Sequence, residues 1–329
     1  MKRYVTGIKP TGNAHIGNYF GAIKPAIEFS EQEGVESFYF MADYHALTTI
    51  KSGEELREHT YEIACTWLAC GLNPDKVVMY RQSDIPEVFE LFTIINNVTP
   101  KGLMNRAHAY KAIVEKNAEQ GINIDDGVNM GLYSYPVLMA ADIFMVDADY
   151  VPVGLDQKQH IEIARDIATY FNNRYGNVLK TPDEYIDKQF AVLEGLDGRK
   201  MSKSYNNTIG LFLPENQLKK TINRIVTDSS LPTDPKPLDC TVNKLYKLFA
   251  TAEEQEAFDA KLTAGIGWGD AKKELFEVAN RYISPMRAKY DYYMSHRDEV
   301  DKILEDGAKK ARVYAREVIQ KVRKAIGVK

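Results

Sequence analysis

The sequence predicts an α/β fold: a doubly wound, Rossmann-like parallel sheet followed by an α-helical domain. Three observations carry this. Short β-rich runs alternate with longer helical patterns through the first two hundred residues. Several of those runs lack polar alternation, as strands covered on both faces do. After Ser204 the strand signals stop. The expected division is a first domain over 1–204 and a helical one over 205–329, sizes that suit a chain of 329 residues.

Arg3–Ile8, Ser37–Ala42, Val77–Arg81, Tyr150–Val153 and Gln189–Leu193 read as strands. Between them Ile16–Phe29, Glu54–Cys70, Pro86–Asn97 and Gln157–Tyr175 have helical spacing. In the last of these Ile161, Ala164, Ala168 and Phe171 share a face, and Gly176 offers a C-terminal cap. A Pro-rich passage, Leu231–Pro237, interrupts the otherwise helical second half. The final helix repeats Ala311, Tyr314, Val318, Val322 and Ala325 at spacings of three and four, so it must dock, with the first domain as one available surface.

Composition narrows the function classes. With 44% hydrophobic and 27% charged residues the chain is ordinary for a globular protein. No apolar run reaches the roughly 18–20 residues of a membrane span, and Met1–Ile8 is too short and polar for a signal peptide. The expectation is a cytoplasmic protein without a membrane partner. Cys65 and Cys70 lie in one apolar segment and Cys240 stands alone, which points to packing. No metal ligands are assigned, and neither zinc nor an iron–sulfur cluster is expected. The net charge is −4, yet Ala308–Lys329 holds eight Lys or Arg residues against one acid, Glu317. Such a tail either contacts phosphates or is the solvated face of a terminal helix.

The first expected strand runs into Gly7-Ile8-Lys9-Pro10-Thr11-Gly12-Asn13-Ala14-His15-Ile16-Gly17-Asn18. A loop at the carboxyl end of a strand in a doubly wound sheet borders the ligand crevice. The helix that begins near Ile16 turns its free N–H groups and positive dipole end toward that crevice, which suits a phosphate. Gly17 leaves room for a flat base, and His15 and Asn18 can donate to phosphate oxygens. A cap or core residue is the plainer reading of either. The P-loop pattern GxxxxGK[ST] is absent from the sequence.

A second signal is Asp197-Gly198-Arg199-Lys200-Met201-Ser202-Lys203-Ser204. Asp197-Gly198 is turn chemistry, so Lys200 and Lys203 sit on a loop. Two ammonium groups joined by the hydroxyls of Ser202 and Ser204 could meet the charge that grows on a departing pyrophosphate. A solvated turn explains the same lysines taken alone.

Together, His15-Ile16-Gly17-Asn18 and Lys200-Met201-Ser202-Lys203-Ser204 resemble the HIGH and KMSKS signatures of class I aminoacyl-tRNA synthetases. The second matches in full. The first ends in Asn18 where histidine is the common residue, a departure familiar in the tryptophan branch.

Tyr135, Met139 and Asp142 fall on one helical face within Tyr133–Ile143. Indole has one N–H and no acceptor, so a selective pocket needs an acceptor in an apolar slot, which Asp142 beside Met139 supplies. An Asp that caps or pairs elsewhere is the local alternative. Pro136–Ile143 and Val151–His160, with Asp43–Ala46 and Thr227–Ser229, are similar to the bacterial tryptophanyl-tRNA synthetases, a likeness running from about Thr6 to the C-terminus.

The resemblance implies that Asp142 accepts the indole N–H, and that Val5, Gly7, His45, Met139, Val151, Val153 and Gln157 line the amino-acid pocket. It implies ATP contacts from Lys9, Pro10, Thr11, Gly17, Asn18, Gly154, Leu155, Asp156, Val192 and Lys200, Met201, Ser202, Lys203 and Ser204. Lys200, Lys203, His15 and Asn18 would be the catalytic set, and Lys111 a further phosphate-side lysine. The implied substrates are L-tryptophan, ATP with Mg2+, and tRNA(Trp), the last bound by a homodimer through the helical domain. Lys9 departs from the family's usual glutamine and Leu155 from its usual glutamate. The alternatives are a tyrosyl-tRNA synthetase, a nucleotidyltransferase, and a synthetase-derived RNA-binding protein.

Overall fold

The computed structural model describes residues 1–154, 157–185 and 193–328. Five parallel strands form one sheet in the order β3-β2-β1-β4-β5. They are β1 (Lys2–Ile8), β2 (Val35–Met41), β3 (Val77–Arg81), β4 (Tyr150–Pro152) and β5 (Asp183–Tyr185). The first three lie where the apolar runs placed them, and β4 stops one residue sooner. The expected strand Gln189–Leu193 falls outside the described residues except for Leu193. The fifth strand described is instead Asp183–Tyr185, a short polar edge strand paired with β4.

Alternation across the strands sorts the core into two layers. Val5, Phe38, Phe40 and Tyr80 face one side of the sheet, and Tyr39, Met41, Val77 and Met79 the other. Strand order reverses direction between β1 and β4, so the carboxyl ends of those two strands flank the crevice where ligands bind in such sheets.

The helix read over Ile16–Phe29 is three pieces: α1 (Ile16–Asn18), a π-helical stretch at Tyr19–Ile23, and α2 (Lys24–Ser30). Pro25, which lacks an N–H for the ladder, follows the wide turn. Next come α3 (Asp43–Ala46), α4 (Gly53–Ala69), α5 (Pro86–Asn96), α6 (Lys101–Met104), α7 (His108–Glu119), α8 (Met130–Met145) and α9 (Lys158–Tyr175). After the sheet are α10 (Glu215–Asn223), α11 (Thr241–Phe249), α12 (Ala252–Ala264), α13 (Trp268–Ser295) and α14 (Arg297–Ile326). No helix among the described residues is long and apolar enough to cross a membrane.

The last helix does not stay with its sequence neighbours. Val300 and Leu304 join one core layer, while Ala308, Ala311, Ala315, Val318, Ile319 and Val322 join the other. It therefore lies along the outer edge of the sheet, against β3. At the crossing, a Cβ on Gly307 would stand 1.8 Å from the carbonyl oxygen of Met79, so only glycine permits this approach. Much of the basic tail is spent on the same docking. Arg312 and Arg316 pair with Glu87 of α5, and Arg323 pairs with Glu90.

Candidate active site

Two cavities open at the carboxyl end of β1, one on each face of the sheet. The first encloses about 390 Å³. Odd-numbered residues of the first strand, Val5 and Gly7, line it, with Phe40, Ala42, Met139 and Val151 adding apolar wall. A Cβ at Gly7 would lie 2.6 Å from the Phe40 ring, so glycine keeps this wall flat. Polar groups enter at few points: Asp142, His45, Tyr135 and Gln157. Such a slot, apolar with a few convergent polar groups, suits a small aromatic ligand.

Asp142 is 3% exposed. Its Oδ2 lies 2.9 Å from His45 Nε2, and Gln82 Nε2 donates to both carboxyl oxygens at 2.9 Å. Burial pushes the carboxyl above the ordinary range, and the bonds from His45 and Gln82 oppose that push. The turn after β3 also steadies His45: Ser83 donates from both N–H and hydroxyl to Asp43, which begins the short helix carrying His45. Across the slot the Tyr135 hydroxyl meets His160 Nε2, and His160 Nδ1 lies 2.7 Å from Gln157 Oε1.

The second cavity, about 740 Å³, is lined by Thr11, His15, Gly17, Asn18 and Lys200–Ser204, with Ile63 and Trp67 of α4 as its apolar side. His15 and Asn18 close a reciprocal cap: Asn18 N donates to His15 Nδ1 at 3.2 Å, and His15 N donates to Asn18 Oδ1 at 3.0 Å. Burial, with the Lys203 charge nearby, lowers the His15 imidazole to about 4. The ring is therefore neutral at pH 7, and with Nδ1 accepting, its proton sits on Nε2, ready to donate. A Cβ on Gly17 would fall 2.9 Å from His15 Nδ1 and 3.3 Å from Met201 Sδ.

The lysine loop is tied to the first loop by a side chain, and the segment just after it by backbone. Ile16 N donates to Ile209 O at 3.0 Å and Leu211 N to Ala14 O at 2.9 Å. Lys203 Nζ donates to Thr11 O at 2.8 Å. Burial lowers the pKa of Lys203, with Glu62 opposing. The Ser202 and Ser204 hydroxyls are 2.7 Å apart. Lys9 borders both cavities; its ammonium donates to Thr48 Oγ1 at 3.1 Å, and burial lowers its pKa.

Not every expected residue lies on a wall. Val153 is buried with its N–H on Tyr185 O, and it does not border the first cavity. Pro10, buried, and Gly154, whose carbonyl accepts from Gln157 N, do not border the second. Lys111 is exposed on α7 and pairs with Glu115 at 3.5 Å, away from both. Leu155, Asp156 and Val192 lie outside the described residues.

Sequence reasoning missed two supporting residues. Gln82 stands in a turn with no periodic signal. Asn207, 2% exposed, clasps the lysine loop by accepting from Ser202 N and donating to Asp197 Oδ1 and Lys200 O. The only signal for it was its place just beyond Lys200–Ser204.

Known proteins share this geometry. Residues 1–284 match the family model "tRNA synthetases class I (W and Y)". The tryptophan–tRNA ligase of Bordetella parapertussis is 51% identical over 329 residues, covering 99% of this chain and 73% of that protein. That of Neisseria meningitidis is 48% identical, covering 100% and 98%. The crystal structure of Campylobacter jejuni tryptophanyl-tRNA synthetase, complexed with ADP and tryptophan, superposes with a TM-score of 0.91 at 43% identity, covering 99% of each chain. With its parallel sheet, two cavities and two signature loops, this chain belongs to the class I tRNA synthetases of the tryptophan and tyrosine family.

Proposed function

We infer that this chain activates L-tryptophan with ATP, giving tryptophanyl-adenylate and pyrophosphate, and then transfers the tryptophan to the 3′ end of tRNA(Trp). Its relatives named tryptophan–tRNA ligase match over nearly the whole chain. One observation of the structure carries the reading: Lys9 stands in the wall of both cavities, so a carboxylate in the first and an α-phosphate in the second would meet beside it.

In the first step the tryptophan carboxylate, already ionised, attacks the α-phosphorus, and the bond to the bridging oxygen of pyrophosphate breaks. No protein nucleophile is needed; alignment and charge do the chemistry. Asp142 takes the indole N–H, with Val5, Gly7, His45, Met139, Val151 and Gln157 around the amino acid. The neutral His15 donates from Nε2, Asn18 and Gly17 frame the base and phosphates, and Thr11, Lys200, Met201, Ser202, Lys203 and Ser204 hold the triphosphate end. Lys203, which now rests on Thr11, exchanges that carbonyl for phosphate oxygen as negative charge builds on pyrophosphate. Mg2+ arrives with ATP as part of the substrate. Lys200 and Lys203 line the second cavity and would share the phosphate charge with such an ion.

The division into a catalytic part over 1–204 and a tRNA-binding, anticodon-reading part over 205–329 belongs to the same proposal, as does a cytoplasmic homodimer. Leu47, 53% exposed, and Met130, 71% exposed, beside the pocket-bearing helices support a covered face there. The test is ATP–pyrophosphate exchange with tryptophan and with tyrosine. Exchange dependent on tryptophan is expected; exchange with tyrosine alone would overturn the assignment.

A further inference from the structure

Behind the first cavity, Gln82 holds the carboxylate that the pocket presents. Its side chain is fully buried, in the turn Gln82–Asp84 at the carboxyl end of β3. Its Nε2 is 2.9 Å from both oxygens of Asp142, and its Oε1 has no hydrogen-bond partner among the described residues. An orphaned buried acceptor is costly, and a fold that keeps one has reason to hold the other end in place. A carboxylate offers about four lone-pair sites. Gln82 shares one N–H across the facing sides of both oxygens and His45 takes the outer site on Oδ2, so the outer site on Oδ1 is left.

We propose that Gln82 is a positioning residue for tryptophan selection: one amide N–H, shared between the two carboxyl oxygens, holds the Asp142 carboxylate turned so that Oδ1 receives the indole N–H. The proposal rests on the reading of Asp142 as the indole's partner. The choice of amide is physical. Of the groups that titrate, His45 from α3 and Tyr80 from β3 act on Asp142 directly, and Tyr135 of α8 and Lys9 beyond β1 line the same cavity. The Tyr80 hydroxyl, fully buried, stays protonated and adds no charge. A glutamine amide carries no titratable proton, so it donates alike at any pH. Burial raises the Asp142 pKa, and His45 opposes this most, with the Gln82 hydrogen bond adding to it; losing Gln82 therefore moves Asp142 further toward the protonated form. A protonated carboxyl would donate to His45 and lose its hold on the indole.

Two variants with opposite signs test this, read as the KM for tryptophan in pyrophosphate exchange from about pH 6 to 9. Gln82→Met removes the donor without changing the volume much, so the KM should rise more steeply in the variant than in the parent as the pH falls. Gln82→Glu sets two carboxyls together that share one proton, so its KM should instead fall as the pH falls. The KM for ATP should not move in either. Parallel pH dependence in the two variants, or a uniform loss that ignores pH, overturns the proposal. Asp142→Asn separates the two levels of inference: an unchanged tryptophan KM in that variant would sink the pocket reading itself, whereas a raised one beside pH-independent Gln82 variants would sink only the role of Gln82.

Discussion

Gly307→Ala asks the most of the packing at the sheet's edge, because two principles predict opposite signs. On an exposed helix alanine is preferred over glycine by about 1 kcal/mol. Here the added Cβ would lie 1.8 Å from the Met79 carbonyl oxygen, 2.6 Å from its carbon and 3.0 Å from its nitrogen. To reach ordinary contact, α14 must back away from β3 by roughly 1.5 Å, and gaps of 0.5–1 Å already forfeit about a quarter to a half of each dispersion contact. Overpacking ordinarily costs about 1–3 kcal/mol. The obstacle is backbone and cannot rotate aside, so we take about 3 kcal/mol, less the 1 kcal/mol of propensity regained. The expected net loss is ~2 kcal/mol, a fall in Tm of roughly 3 °C for a chain of 329 residues. Thermal and urea unfolding would measure it, with Gly269→Ala as control: a methyl added to that helical glycine would have nothing within 4 Å, and the substitution should be neutral or stabilising. A Gly307→Ala protein as stable as its parent, or more so, would refute the reasoning.

Three further outcomes are expected. Lys203→Ala should slow adenylate formation by two orders of magnitude or more, about 3 kcal/mol of transition-state stabilisation, while tryptophan affinity in equilibrium binding stays the same; near-normal single-turnover rates would remove its role. Asn207→Ala strips the clasp from the lysine loop and leaves Ser202 N and Lys200 O to find other partners, so it should cost ~2 kcal/mol in urea unfolding and lower kcat; unchanged values would show the loop holds itself. For His15 the folded value of about 4 lies below the ordinary 6.5, so its contribution to stability is full above about pH 6.5 and is lost as the pH falls toward 4. Relative to His15→Gln, the parent should lose about 2 kcal/mol over that window, after allowance for solvent screening. Equal slopes would contradict a buried neutral ring.

Much of the fold was legible because the chain repeats itself locally. The strands Lys2–Ile8, Val35–Met41 and Val77–Arg81 are short runs rich in β-branched and aromatic residues, and the helices at Gly53–Ala69 and Lys158–Tyr175 announce themselves by spacing. Asp183–Tyr185 did not, since two acids in a three-residue edge strand look like a loop. The π-helical turn at Tyr19–Ile23 was invisible for another reason: its composition is that of an α-helix. In the site, both signature loops and Asp142 could be read, because each brings an unusual residue type to a fixed place in the alternation. Their supports could not. Gln82 and Asn207 act through hydrogen bonds to residues far along or folded back, and a lone amide in a turn has no period. The docking of α14 was expected from its apolar stripe, with the first domain as one available surface, but neither the strand it covers nor the work done by Arg312, Arg316 and Arg323 could be inferred from a run of positive charge.

The seating of α14 on β3 has a consequence for how the molecule comes together. An early strand is sealed by a late helix, so the outermost backbone of the sheet must wait for most of the chain to be made or to collapse before its cover arrives. Contacts of such long sequence separation form slowly, and a bare strand edge is a template for another chain. Refolding from denaturant should therefore pass through a species with one flank open, and its yield should drop as protein concentration rises.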